Sequence, residues 1–421
     1  MKARRCLVMV LLFFAIAPAD AQPGSTKMPD TETQEVIALM MRFAERTGLA
    51  SGRTARRYLW TDAFAVCNLL GLARTTGDQG YQELALRLVD QVHHTLGRHR
   101  ADDRRRGWIS GLAEHEGEAH PTRGGLRIGK ELPERGADAP FDERLEWERD
   151  GQYFHYLTKW MQALDQVTRA TGQPQFNLWA RELADKAYRA FSYRPFAAAG
   201  PRRMYWKMSI DLSRPLVSSM GQHDALDGYI TALQLAATAA RLPNPVTDPD
   251  LHKATQGFAD MTKGGDWASA DPLGIGALLM DAYRVQQLIQ QGAAADQGLL
   301  ERLLTASLTG LQVYANGREI ELPARQRLAF RELGLAIGLQ AVERMWQTLD
   351  HGPATISSRS AVRTLVQALT QFAPLANDLV TFWRAPAHQD TPNWVEHRDI
   401  NEVMLATSLA PDGCLTLLPP G

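Results

Sequence analysis

The chain alternates two kinds of helical pattern. In one kind apolar residues surround the helix, as at Ala63, Phe64, Val66, Cys67, Leu69, Leu70 and Leu72 within 60–75. A helix apolar on all sides is a buried helix. In the other kind one apolar stripe recurs every three or four residues, as over 81–96, which suits an outer helix with one face in water. The turn Gly77-Asp78-Gln79-Gly80 separates this first pair. Gly172-Gln173-Pro174 separates the second pair, 152–171 and 175–191. Further pairs are predicted at 224–241 with 249–262, 272–291 with 297–314, and 325–349 with 360–383. A sixth inner helix at 401–409 finds an outer partner in the first helix of the chain, 31–47. No convincing strand alternation occurs, so the chain is expected to be all-α.

The inner helices share a polar and aromatic start. The copies are Tyr58-Leu59-Trp60-Thr61-Asp62, Trp147-Glu148-Arg149-Asp150-Gly151-Gln152-Tyr153, Gly221-Gln222-His223-Asp224, and Asp266-Trp267-Ala268-Ser269-Ala270-Asp271-Pro272. Repeated helical hairpins stack into an open solenoid or close into a ring. Closure is favoured because the unpaired first and last helices then complete a pair. The expected fold is an (α/α)6 barrel, a toroid of six helical hairpins with long mouth loops, with 22–421 as a single domain. Two connections are long, 97–145 and 193–220, and structureless loops of that length are usually functional or disordered. They carry Trp108, Ile109, Leu126 and Trp206, so they are expected to pack over the ring. Both lead from an outer helix back to the next inner helix, which puts them on the face where the inner helices start.

Composition narrows the classes. At 45% hydrophobic and 22% charged the chain is of ordinary globular type, with ample material for a core. Its net charge of −1 and lack of a concentrated basic face give no support to a nucleic-acid partner. Residues 1–21 read as a secretory signal: Lys2, Arg4 and Arg5, then an apolar run from Cys6 to Ala17, then the small-x-small site Ala19-Asp20-Ala21. That run is too short to span a bilayer. The expectation is a periplasmic or secreted protein with no stable membrane span after cleavage. Cys67 and Cys414 would remain; two cysteines are not a disulfide framework, and Cys67 reads as a small buried hydrophobe.

The segment Trp147-Glu148-Arg149-Asp150-Gly151-Gln152-Tyr153-Phe154-His155-Tyr156 and the sixfold helical pairing resemble the six-hairpin (α/α)6-barrel superfamily. That superfamily includes glycoside hydrolases, polysaccharide lyases and the N-acylglucosamine 2-epimerase group. The resemblance implies a carbohydrate or other small polar ligand. The acid-Asp-Gly opening also looks similar to the linalool dehydratase type of barrel. That type uses paired cysteines, where this chain has Ser209 and Ser218, which puts terpene alcohol chemistry in doubt.

Glycoside hydrolysis needs one carboxylic acid to protonate the leaving oxygen and a second carboxylate as base or nucleophile. Asp150 is the expected acid or base, with Asp62 or Asp224 as its partner and His223 orienting substrate. Acids at helix N-termini are also ordinary caps, which is the competing explanation for each of them. Expected ligand contacts are Trp60, Trp108, Trp147, Trp206 and Trp267, together with Gln152, Tyr153, His155, Gln222 and Arg127. Aromatic rings stack on sugar faces while amides and acids bind hydroxyls, although a Trp also packs barrel ends. Two histidines, His155 and His223, would instead suit a sugar epimerase or polysaccharide lyase. A non-catalytic barrel that binds a glycan or partner is the third possibility. No cofactor is implied, and the histidines lack a complementary metal-ligand set.

Overall fold

The structure, a computed structural model, describes residues 30–195, 202–243, 248–293, 295–351 and 360–419. The expected signal segment, 1–21, lies outside the described residues.

Six helices form the inner ring: α2 (Leu59–Thr76), α6 (Phe154–Thr171), α8 (Asp224–Ala239), α10 (Pro272–Gln290), α12 (Ala329–His351) and α17 (Arg398–Leu409). Each packs against the next, and α17 packs back against α2, so the ring closes. Outside lie α1 (Thr31–Arg46), α3 (Gln79–Leu96), α7 (Pro174–Phe191), α9 (His252–Thr262), α11 (Gln297–Asn316) and the pair α13 (Ser360–Thr370) and α14 (Ala373–Arg384), from which the short α15 (Pro386–Gln389) and α16 (Pro392–Glu396) lead to α17. The first helix, α1, is the outer partner of the last inner helix, α17. The fold is therefore an all-α (α/α)6 barrel.

Local sequence accounts for the helix ends. Gly77 and Gly172 take left-handed conformations, at φ 76° and 70°, and close α2 and α6. The outer helix expected over 360–383 is broken, because Pro374 lacks a donor and its ring opposes a preceding helical turn. Helix α12 starts at Ala329 rather than at 325, since two 3-10 turns occupy 319–326. The closest inner contact is made by glycines of α10 and α12. A Cβ on Gly338 would lie 2.7 Å from the Gly276 Cα, and one on Gly276 would lie 2.2 Å from the Gly334 carbonyl oxygen.

Among the described residues the mouth loops also carry five short strands, too short to alter the all-α class. They are β1 (Gln152–Tyr153), β2 (Ser192–Tyr193), β3 (Arg203–Met204), β4 (Lys207–Met208) and β5 (Pro215–Val217). β1 pairs with β4 antiparallel, and β4 with β5. This small sheet ties the start of α6 to the second loop, so Gln152 and Tyr153 are strand rather than helix. The first loop contains α4 (Glu114–Ala119) and α5 (Glu143–Glu148). Both loops lie at the inner-helix starts, as their connectivity requires.

The backbone approach of α10 and α12 sets the ring diameter on that side. Gly338→Val is expected to cost about 3 kcal/mol of stability through overpacking. Denaturant unfolding would measure it, and a cost below about 0.5 kcal/mol would show that the two helices part without penalty.

Candidate functional site

The mouth loops are held together by ion pairs buried inside them. Asp150 is completely buried. It accepts from Arg127 Nη1 at 2.8 Å, Arg100 Nη1 at 3.3 Å, and the amides of Gly129 and Gly151, each at 3.0 Å. Arg127 also donates to the carbonyls of Thr95 and Arg98. Every lone-pair direction of Asp150 faces a donor, so it positions the loop. It does not meet the expectation of a general acid or base, and Arg127 is its counter-ion rather than a ligand contact. Gln152 is likewise internal: it accepts from the Leu126 amide and donates to the Gly124 and Ile210 carbonyls. Lys207 is buried against Glu146, 2.9 Å away, and Glu146 also binds Arg135 at 2.8 Å.

Other expected residues also have structural partners. Asp62 accepts from the Tyr58 amide at 2.9 Å and pairs with Arg57 at 3.3 Å, so it is a buried cap rather than a second catalytic carboxylate. Trp60 is buried against Phe64 with ring centroids 4.5 Å apart. Trp108 is buried under the Arg98 guanidinium, 4.3 Å from it, on the outer-helix side of the loop. Trp267 is buried, and its carbonyl accepts from His223 Nε2–H at 2.9 Å. That bond ties His223 to the neighbouring helix start. Gln222 donates to the carbonyls of Asp266 and Ala268 and pins the neighbouring helix start.

The remaining expected residues converge. Trp206 lies 5.5 Å from Tyr153 and 6.1 Å from His155, nearly parallel to the latter at 19°. Trp147, exposed at the rim, meets Trp206 edge-on at 4.8 Å. These rings form one wall that descends into the ring. Beneath it His155 Nδ1 stands 4.0 Å from Asp224 Oδ1. Neither Nδ1 nor Asp224 Oδ2 has a hydrogen-bond partner within the chain. Desolvation is the main cause of both groups' shifts. It keeps the His155 imidazole neutral by lowering its pKa, with nearby Lys159 adding to the effect. It pushes the Asp224 carboxyl up to about 7, against a hydrogen bond from the Gly221 backbone.

Below this pair the ring carries polar residues that the helix-start motif did not reveal. Lys159 Nζ is 3.7 Å from Asp227 Oδ1, and Arg284 binds Asp281 at 2.7 Å. Burial raises the Asp227 pKa, and the charge of Asp281 beside it adds to the rise, so the proton of this pair resides on Asp227. At the side of the mouth the hydroxyls of Tyr58 and Tyr156 are 2.7 Å apart, and burial holds both protonated. The sequence signal for the deeper groups is helical spacing. His155 and Lys159 are four apart on α6, and Asp224 and Asp227 three apart on α8, so each pair shares a face.

Among the described residues no three His, Cys, Asp or Glu side chains come together as metal ligands. A polar hollow of about 450 Å³ lies at the opposite end of the ring, lined in part by Arg344 and Asp412. It has neither the aromatic wall nor the buried acid of the mouth, so the mouth is the candidate site.

No family model matches the chain, and no curated protein matches its sequence. Among solved structures it is similar to the cellobiose 2-epimerase of Spirochaeta thermophila DSM 6192, at 11% identity and a TM-score of 0.42, over 90% of this chain and 98% of that one. It is also similar to the unsaturated glucuronyl hydrolase of Bacillus sp. GL1, responsible for the degradation of glycosaminoglycan. That match has 14% identity and a TM-score of 0.34, over 90% of this chain and 95% of that one. At these TM-scores neither likeness bears on which residues act.

Asp150→Asn is expected to lower stability by about 3 kcal/mol, because it leaves Arg100 and Arg127 without their shared counter-charge. Thermal unfolding tests this. An unchanged melting temperature would restore Asp150 as a candidate for the chemistry itself.

Proposed function

We propose that the chain is a carbohydrate-active enzyme whose mouth performs acid–base chemistry on a sugar. The observation that carries this reading is the Asp224 carboxyl, protonated near neutrality and unpartnered at Oδ2, beside His155 and beneath an aromatic wall. A sugar ring would stack on Trp206 or Trp147, where its flat C–H face meets a π surface. Its hydroxyls would find the Tyr58–Tyr156 pair. Asp224 would donate a proton to the glycosidic oxygen as the bond breaks, the role of the general acid in glycoside hydrolysis. The base that activates water would be His155 Nδ1, which is neutral and unpartnered within the chain. The resemblance of the 147–156 segment to six-hairpin barrels supports the same class.

A second reading, epimerisation or β-elimination, is favoured by one observation: the neutral His155 Nδ1 is free to accept a proton. It would pair with Asp224, since His223 is engaged by Trp267. Incorporation of solvent deuterium into a sugar carbon, without release of a new reducing end, would select this reading over hydrolysis. Export of the enzyme is supported by the leader pattern at 1–21. N-terminal sequencing of the secreted product should begin at Gln22.

Turnover of a glycan panel should fall by about 10²–10⁴-fold in Asp224→Asn. In the wild type kcat/KM should decline as pH rises through about 7, where Asp224 loses its proton. Unchanged turnover in the variant would remove Asp224 from the chemistry. The same shift acts on stability. Between pH 3.8 and about 7 the folded chain holds a proton that the unfolded chain has released, so stability falls as pH rises through this window. Asp224→Asn should therefore resist unfolding at pH 8 better than the wild type while being inactive. A less stable variant at pH 8 would contradict the assigned protonation.

A further inference from the structure

The floor of the ring is closed by the chain's own C-terminal segment. After α17 the chain turns at Pro411 into α18 (Asp412–Leu415) and crosses beneath the inner-helix ends. Three inner helices hold it by polar contacts. From α6, Gln166 donates to the carbonyls of Cys414 and Thr416, at 3.2 and 3.0 Å. From α10, Gln287 donates to the Leu415 carbonyl and accepts from the Leu417 amide. From α12, Arg344 pairs with Asp412 at 2.6 Å.

The fourth neighbour, α2, meets the segment differently. A Cβ on Gly413 would lie 2.3 Å from the Cys67 carbonyl oxygen and 3.1 Å from the Gly71 Cα. Only glycine permits this approach, and it brings the next residue, Cys414, against α2. Both Cys67 and Cys414 are buried free thiols, brought to the same place where Gly413 packs on the Cys67 carbonyl.

We propose that Cys67 and Cys414 form a disulfide bond that fastens the C-terminal segment to α2 and seals the floor of the ring. The oxidant is a small disulfide, of which oxidised glutathione is the simplest. While the segment is undocked, the Cys67 thiolate attacks one sulfur of that disulfide and expels one glutathione thiolate. Docking then presents Cys414 to the mixed disulfide. The Cys414 thiolate attacks the Cys67 sulfur and expels the second glutathione thiolate. Two protein thiols are oxidised and one disulfide is reduced. The two protons lost by the cysteines pass through solvent to the two glutathione thiolates. The bond would close a loop of most of the chain, where the entropic effect on the unfolded state is large.

The test uses the full chain and needs no substrate. Reduced, denatured protein is refolded in a glutathione redox buffer, quenched with acid, alkylated with N-ethylmaleimide, and mapped by mass spectrometry. The expected product is one peptide containing Cys67 joined to one containing Cys414, lighter by two hydrogens than the separate pair. Reduction should lower the melting temperature by roughly 3–6 °C, and the Cys67→Ser/Cys414→Ser double variant should not respond to reductant. Recovery of both cysteines alkylated, or of either one carrying glutathione alone, overturns the proposal. So does a wild-type melting temperature indifferent to reductant.

Discussion

Moving a carboxylate from water into a protein interior costs several kcal/mol unless a counter-charge or a proton compensates it. This barrel buries many. Asp150 is met by two arginines and two amides. Asp165 is met by Arg169, Gln234, Thr238 and Asn177, and Glu332 by Arg327 and the Trp383 indole. Asp224 has no such cation. Its only route to burial is to keep its proton, and that requirement supplies an acid at the mouth. The deeper Asp227 keeps its proton as well: burial outweighs the Lys159 cation 3.7 Å away, and Asp281 beside it has taken Arg284. The acids of the ring that hold a proton are thus those whose burial no closely hydrogen-bonded cation offsets.

The two ends of the ring differ for a related reason. At the helix starts, two long loops build a rim whose own charges are mutually neutralised, as with Arg105 among Asp103, Glu134 and Asp211. Charge spent inside the rim cannot attract ligand, so recognition falls to Trp147, Trp206 and Tyr153. At the helix ends, amide side chains of α6 and α10 spend their hydrogen bonds on the C-terminal segment. One end is available to a ligand and the other is filled by the chain.

Much of the architecture was legible in the sequence. The contrast between all-round apolar helices and single-stripe helices located the inner and outer rings. The leftover first and last helices announced the closure made by α1 and α17. The strands escaped notice because two residues cannot show an alternation. The site was legible only in part. Tyr153, His155, Trp147 and Asp224 came from the helix-start segments and Trp206 from the second long loop, and they do converge. Asp150 stood out in the same motif, yet its partners Arg100 and Arg127 come from a loop 23 to 50 residues earlier. A local motif cannot distinguish an acid held by distant arginines from one left free. Lys159, Asp227, Asp281 and Arg284 were hidden for the opposite reason: they lie on three different helices, α6, α8 and α10, and only the ring brings them together.

The account rests on Asp224 being a neutral acid at the pH where its neighbours in the rim are ionised. Carbon-13 labelling of aspartate side chains allows the Asp224 carboxyl to be followed by NMR across a pH titration, with Asp224→Asn identifying its resonance. The account predicts a midpoint near 7. A midpoint near 4, the value of an ordinary aspartate, would mean that the mouth holds a solvated carboxylate and would contradict it.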